Sequence, residues 1–294
     1  MRVLFATDGS ISALEAERLI DKIADRDRVD ITVVSVVPTG IPQVQDIPLM
    51  LDPLPSRRED AIALVDTGVE RFLAAGFKTT GRVLEGVPGA ELVRLVEHDW
   101  HDVTVVGAGN KSWLGHRLLG SVSNHVLHST PNSVLIVHST LPTNTNARVL
   151  VCTDGSEGAF LAIEKYIAMA DPTRCDTVAM SVEPSPLDDL IPTFPIPPML
   201  DPRTADGLKH EAEERAARRA AAAATQLRDN HFTSSEKSML GHPTSSLLEE
   251  ADAGHYDLVV VGSRGQGPVR RALLGSVSDK MTRHTRAALV GRHL

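Results

Sequence analysis

The sequence predicts two tandem α/β units, each a parallel sheet wrapped by helices, and three observations carry the prediction. Val105-Val106-Gly107-Ala108-Gly109-Asn110, followed after nine residues by Gly120-Ser121-Val122-Ser123, returns 155 positions later as Val260-Val261-Gly262-Ser263-Arg264-Gly265 and Gly275-Ser276-Val277-Ser278. Phe5-Ala6-Thr7-Asp8-Gly9-Ser10 returns as Val151-Cys152-Thr153-Asp154-Gly155-Ser156, 146 positions later. Short apolar runs alternate with segments of helical period throughout, the pattern of strands joined by right-handed helical crossovers. Repetition of this kind means two copies of one supersecondary unit. The two offsets differ by nine, so the second copy carries about that many extra residues between its two echoes.

In the first copy, Val3 to Ala6 reads as a strand ending at Thr7-Asp8-Gly9-Ser10. Ser10 or Asp8 is placed to cap a helix whose apolar positions are Ala13, Ala16, Leu19, Ile20 and Ile23. Ile31 to Val37 is a second strand closed by Pro38, residues 39–56 a proline-rich loop, and Arg57 to Ala75 a helix stopped by Gly76. Lys78 to Leu84 is the third strand, Gly86-Val87-Pro88-Gly89 a turn, and Ala90 to Asp99 a helix. Val103 to Val106 and Val134 to Val137 are the fourth and fifth strands.

The stretch from Ser139 to Ala147 has linker chemistry, which places one domain at residues 1–140, a linker at 141–146 and a second domain at 147–294. The second copy repeats the order: strand Val149 to Thr153, helix Gly158 to Ala170, strand Thr177 to Val182. A proline-heavy excursion from Pro184 to Pro202 then absorbs most of the extra length. A long alanine-rich helix, Arg203 to Leu227, carries Glu211, Glu213, Glu214, Arg215, Arg218 and Arg219 and reads as a solvated face. Glu236 to Leu240, Pro243 to Asp252, Leu258 to Val261 and Ala287 to Val290 complete it.

Composition excludes several classes. The formal charge of −8 and an aromatic content of 3% supply neither the basic face nor the stacking platforms of a nucleic-acid binder. Two cysteines, Cys152 and Cys175, make no disulfide framework and no metal-ligand spacing. The chain begins on a strand without a cleavable apolar leader, and no run reaches membrane-spanning length, so the expectation is a cytoplasmic protein with no membrane span.

The repeated glycine stretch is where chemistry concentrates. An apolar run buried on both faces belongs to the interior of a parallel sheet, and open α/β sheets bind ligands at the carboxyl ends of their strands. Gly275-Ser276-Val277-Ser278 then opens a helix through Val277, Met281 and His284, whose free N–H groups would favour a phosphate. A side chain at Gly275 is expected both to strain this turn and to intrude on the ligand. Arg264, and more weakly Arg270 and Arg271, could neutralise phosphate charge. Gly107 to Ser112 lacks the glycine a P-loop needs before its lysine, and His125, His128 and His210-Glu211 lack further ligands for a metal site.

Asp-Gly-Ser after the first strand, joined to the glycine pair, the nine-residue gap and Gly-Ser, resembles the universal stress protein family in its tandem form, across essentially the whole chain. That resemblance implies Rossmann-like domains of the adenine nucleotide alpha hydrolase type, each with a five-stranded parallel sheet, and ATP as ligand, alone or with Mg2+. It places Cys152, Asp154 and the backbone of Val182 beside the adenosine, and Gly262, Gly265, Gly275, Ser276, Val277 and Ser278 around ribose and phosphates. The matching positions of the first copy are Ala6, Asp8, Val36, Gly107, Asn110, Gly120, Ser121, Val122 and Ser123. Asn110 departs from Gly265; if the position needs a positive φ, Asn tolerates it best among side chains.

The function expected is ATP binding in a stress response, expressed through a nucleotide-dependent state and contacts with an unidentified protein partner. With no general base or metal-binding carboxylate pair in view, turnover should be slow or absent. The competing readings are a slow ATPase or other adenine-nucleotide hydrolase on the same fold, and a scaffold that holds no nucleotide. The resemblance further implies an intramolecular pseudo-dimer through the fifth strands, with a homodimer as a further assembly.

Overall fold

The computed structural model describes residues 1–39, 54–109, 119–139, 146–186, 201–265 and 274–292, and these cluster into two compact units. In the first, β1 (Arg2–Ala6), α1 (Ile11–Ile23), β2 (Asp30–Pro38), α2 (Leu54–Ala74) and β3 (Lys78–Gly86) lead to α3 (Pro88–His98), β4 (Val103–Gly107), α4 (Ser121–Ser129) and β5 (Ser133–Val137). The second repeats this as β6 (Ala147–Cys152), α5 (Glu157–Met169), β7 (Cys175–Glu183), α6 (Pro202–Asp229), β8 (Thr233–Leu240), α7 (Pro243–Ala253), β9 (Leu258–Gly262), α8 (Ser276–His284) and β10 (Ala287–Gly291). Most of the 141–146 linker and of the 184–202 excursion lies outside the described residues.

Within the first unit the strand order is β3-β2-β1-β4-β5, all parallel, with Val3 opposite both Ile31 and Val103. Within the second it is β8-β7-β6-β9-β10, again parallel. The chain winds outward from the first strand of each unit, then returns to its other side. The loops after β1 and β4, and after β6 and β9, therefore diverge at a topological switch point, which opens a crevice above the strand ends.

The central strands are buried on both faces, Val103 to Val106 and Leu258 to Val261 being at most 3% exposed, which is why they are apolar apart from Thr104, whose hydroxyl donates to Asn132 Oδ1. In α1 the stripe Ala13, Ala16, Leu19, Ile20 and Ile23 is buried as its period requires. Gly76, with φ +96°, takes the left-handed turn that ends α2, and Phe77 N–H donates to the Phe72 carbonyl at 3.0 Å. Phe72 then packs edge-on against Phe5 and Phe77, with centroids 5.1 and 5.8 Å away.

Three local expectations change. Leu54 to Ser56 are helical, so α2 begins before Arg57. Pro88 is the first residue of α3, where its missing N–H costs nothing, so Pro88 and Gly89 belong to the helix and not to a turn. The buried face of α8 is Ser278, Met281 and Thr282; Val277 is half-buried and His284 exposed, because Ser278 is tied inward by its hydroxyl.

His101, wholly buried, fastens the amino-terminal edge of the first sheet. Its Nδ1 lies 2.6 Å from the Asp99 carbonyl and its Nε2 3.1 Å from the Thr32 hydroxyl. A carbonyl only accepts, so Nδ1 carries the proton, and in the neutral ring that burial favours Nε2 accepts from the Thr32 hydroxyl. Burial, opposed by the bond to Asp99, holds its pKa below the ordinary 6.5. With the folded pKa depressed, the unfolded chain takes the proton first, so the contribution is complete above pH about 6.5 and is lost as the pH falls below it. Denaturant unfolding of the full chain, read by amide exchange in β4, should show that acid limb, and His101→Gln should flatten it. A variant as acid-sensitive as the parent would remove His101 as its source.

Candidate functional site

The crevice above each sheet is a cavity of similar size. In the first unit about 480 Å³ is lined by Ala6 and Asp8 after β1, Val36 in β2, Gly107 at the end of β4, and Gly120, Ser121, Val122 and Ser123 at the start of α4. In the second about 490 Å³ is lined by Cys152, Asp154, Val182, Gly262, Arg264, Gly265, Gly275, Ser276, Val277 and Ser278. Both fall within the range of small-ligand pockets, roughly 300–1,000 Å³. Asn110, Arg270 and Arg271 lie outside the described residues.

The turn leaving the first strand is built identically in both units. Gly9 and Gly155 stand at φ +73° and +74°, which glycine adopts without a Cβ clash. The Ser10 N–H donates to Asp8 Oδ1 and the Ser156 N–H to Asp154 Oδ1, each at 3.0 Å, closing an Asx turn. The helix caps are the serines: Ala13 N–H donates to Ser10 Oγ at 3.3 Å and Ala159 N–H to Ser156 Oγ at 3.2 Å. The aspartates therefore shape the turn and present their carboxylates at the cavity, while the capping expected of Ser10 or Asp8 falls to Ser10.

The glycines divide into two kinds. A Cβ on Gly107 would lie 2.7 Å from Ala13 N, and one on Gly262 2.6 Å from the Gly158 carbonyl carbon, so these glycines let α1 and α5 press against the ends of β4 and β9. Gly275, at φ −71° and ψ 155°, occupies backbone space open to any residue, and a Cβ there meets nothing nearer than 3.4 Å. The turn strain expected at Gly275 is thus absent; intrusion into the cavity is what a side chain there would bring.

The serines divide too. Ser123 and Ser278 are each 2% exposed. Ser123 Oγ reaches the Ala108 and Gly120 carbonyls at 3.1 and 3.0 Å, and Ser278 Oγ the Ser263 and Gly275 carbonyls at 3.1 and 2.9 Å. A hydroxyl has one proton, and here it faces backbone carbonyls, so these two serines latch the loop to the helix. Ser121 and Ser276 are exposed at the first helical position. Whereas α1 and α6 are capped by Ser10 and Asp201, α4 and α8 start from Gly120 and Gly275 with no side-chain cap. Their first-turn N–H groups and the positive end of the helix dipole border the cavity.

Gly265 does not have a positive φ. What excludes a side chain is space: a Cβ would lie 2.6 Å from Asp154 Oδ2. The left-handed residue is Gly109, at φ +98°, one position earlier in the other unit. The two loops present opposite groups to the helix that follows the first strand. Gly109 N–H donates to Ser12 Oγ at 3.2 Å, whereas the Arg264 carbonyl accepts from Ser156 Oγ at 3.2 Å. Gly158 stands in the place of Ser12 because a Cβ there would come 2.9 Å from that carbonyl.

Two pocket residues escape sequence reasoning. Glu183 and Arg219 line the second cavity and are ion-paired, with Arg215 Nε 3.1 Å from Glu183 Oε1 on the same carboxylate. The arginines belong to the charged run of α6 that reads as solvated. The signal was their place beside the buried stripe Ala212, Ala216, Ala220 rather than opposite it. Cys152 is buried, and burial, with the charge of Glu250, pushes its thiol well up, so it serves as apolar wall.

A repeated parallel sheet with a crevice at each switch point and an uncapped helix entering it defines a tandem α/β protein with a cavity of small-ligand size in each unit. The chain belongs to the universal stress protein family, whose model matches residues 1–138 and 145–290. Universal stress protein Rv2623 of Mycobacterium tuberculosis (strain ATCC 25618 / H37Rv) is 27% identical over 297 residues, spanning 98% of this chain and 95% of that relative. Universal stress protein MJ0531 of Methanocaldococcus jannaschii is 33% identical over 140 residues, 46% of this chain and 81% of the relative. Among solved structures, a universal stress protein from Archaeoglobus fulgidus DSM 4304 shares the fold with a TM-score of 0.64 at 21% identity, over 99% of this chain and 96% of that one.

Proposed function

We propose that the chain binds ATP in both crevices and acts in a stress response through the nucleotide-bound state and a protein partner that reads it. The observation that carries this is the pair of uncapped helix starts, Gly120-Ser121 and Gly275-Ser276, each facing a cavity of nucleotide size. Phosphate oxygens would accept from the first-turn N–H groups, and Arg264 would add charge in the second site. The Asp8 and Asp154 carboxylates would accept from hydroxyl or amino groups of the nucleoside. Among the described residues no three His, Cys, Asp or Glu side chains gather to hold a metal, so Mg2+ would be carried by the phosphates. No helix among the described residues is long and apolar enough to cross a membrane, in keeping with action in the cytoplasm.

Catalytic turnover forms no part of the proposal. The halves are proposed to assemble as a pseudo-dimer through their fifth strands, which charge at Leu135 and Leu289 should loosen in small-angle scattering.

Calorimetric titration of the full chain with ATP should give two sites. Asp154→Ala should weaken the second by about 1–3 kcal/mol, the usual loss when a buried hydrogen-bond partner is removed. The helix cap survives in that variant because Ser156 supplies it. Undiminished affinity with lower stability would reduce Asp154 to its turn, and no heat in the parent would dismiss ATP.

A further inference from the structure

Resting on the nucleotide reading above, we infer that the two crevices are not duplicates: Arg219 is a specificity-determining residue that tunes the second toward the more highly charged form of the ligand, while the first discriminates less by charge. The structure supplies its own control, because the same wall is built twice. A Cβ on Gly155 would touch the Arg219 side chain at 3.3 Å, and one on Gly9 the Leu64 side chain at 2.9 Å, so Arg219 and Leu64 occupy one position over the same turn. One helical turn earlier stand Arg215 and Asp60. Glu183 pairs with Leu240 across β7 and β8, and Val37 with Glu85 across β2 and β3, which makes Val37 the equivalent of Glu183. Arg264 likewise answers to Gly109.

The charges differ in one direction. Asp8, Arg57 and Asp60 leave the first cavity one negative charge, and the rest of that wall is Val37, Ala61, Leu64 and Leu92. In the second cavity Asp154 and Glu183 are balanced by Arg219 and Arg264, and Arg215 adds a cation through the Glu183 carboxylate. Among the described residues one charge unit therefore separates the linings of crevices of nearly equal volume, and Arg215, behind Glu183, adds to the difference in the same direction. Glu183 also accounts for the order of the wall: one carboxylate receiving two guanidinium groups holds Arg219 extended over the Asp154-Gly155 turn. A flexible arginine pinned in advance loses less freedom when an anion arrives.

The test uses the full chain with one crevice closed at a time, Gly120→Val leaving the second and Gly275→Val the first, titrated with ATP and with adenosine at low and high salt. The ratio of ATP to adenosine affinity should be roughly ten-fold higher in the second crevice, and more salt-sensitive there. Arg219→Leu should remove most of that excess while adenosine affinity stays, and Leu64→Arg should raise the ratio in the first. Arg219→Gln, which keeps polarity without the charge, should behave as Arg219→Leu does. Equal ratios in the two crevices, or equal losses for ATP and adenosine in both Arg219 variants, would overturn the inference while leaving nucleotide binding in place. A parent that binds neither compound overturns both.

Discussion

Gly262→Val should unfold the second unit or cost it at least about 3 kcal/mol, the upper range for overpacking a closed contact. The Cβ would sit 2.6 Å from the Gly158 carbonyl carbon, 2.7 Å from Ala159 N and 2.9 Å from the Gly158 carbonyl oxygen. All three are backbone atoms, so no rotamer change relieves the overlap. Either β9 or the start of α5 must move, and β9 is paired on both sides, with β6 and with β10. The Asp154 turn feeds α5, so the crevice would be lost with the packing. Gly107→Val should do the same to the first unit, where Ser12 and Ala13 stand as close. Amide exchange resolved by unit is the measurement: protection should collapse in β6 to β10 for Gly262→Val and in β1 to β5 for Gly107→Val. Parent-like protection in either would show that these glycines serve something other than helix-to-strand contact.

That contrast marks how far the sequence reached. Strands such as Val103 to Val106 and the stripe of α1 were legible because burial on two faces or on one writes a period into the residue types. The Asp-Gly-Ser turns and the paired glycine loops were legible because they occur twice. Roles within the motif were not. Gly262 and Gly275 look alike in sequence, yet one is fixed by a helix pressing on a strand and the other stands at an open helix start with ordinary backbone angles. Ser276 and Ser278 look alike too, and only the geometry shows that Ser278 spends its proton on the loop. The wall formed by Glu183 and Arg219 was hidden for another reason: it joins residues 36 positions apart through an ion pair, and an arginine flanking an alanine stripe reads as solvent-facing until the stripe is seen to be buried.

Gly275→Val should leave the second unit folded and abolish ligand binding there. The backbone at φ −71° and ψ 155° is the extended region that a β-branched residue prefers, and the nearest atoms to a new Cβ, the Ser263 carbonyl and Ser278 Oγ, are at 3.4 Å, ordinary contact. Stability should therefore change by less than about 1 kcal/mol, with the loss of glycine's unfolded-state freedom working in the variant's favour. The two γ-methyl groups, however, stand at the mouth of α8, beside the N–H groups that the proposal assigns to phosphate. They would replace a polar approach with an apolar one and hold an anion away from its donors, leaving those donors to water. A loss of several kcal/mol follows, since charge-assisted bonds to more than one N–H fail together. The latch from Ser278 to the Gly275 carbonyl, at 2.9 Å, uses backbone atoms that valine retains, so the helix start should keep its shape. Calorimetry should accordingly show one site fewer than the parent at unchanged melting temperature. A full complement of sites in the folded variant would move the phosphate away from α8, and a variant that melts early would place Gly275 with Gly262 among the packing glycines.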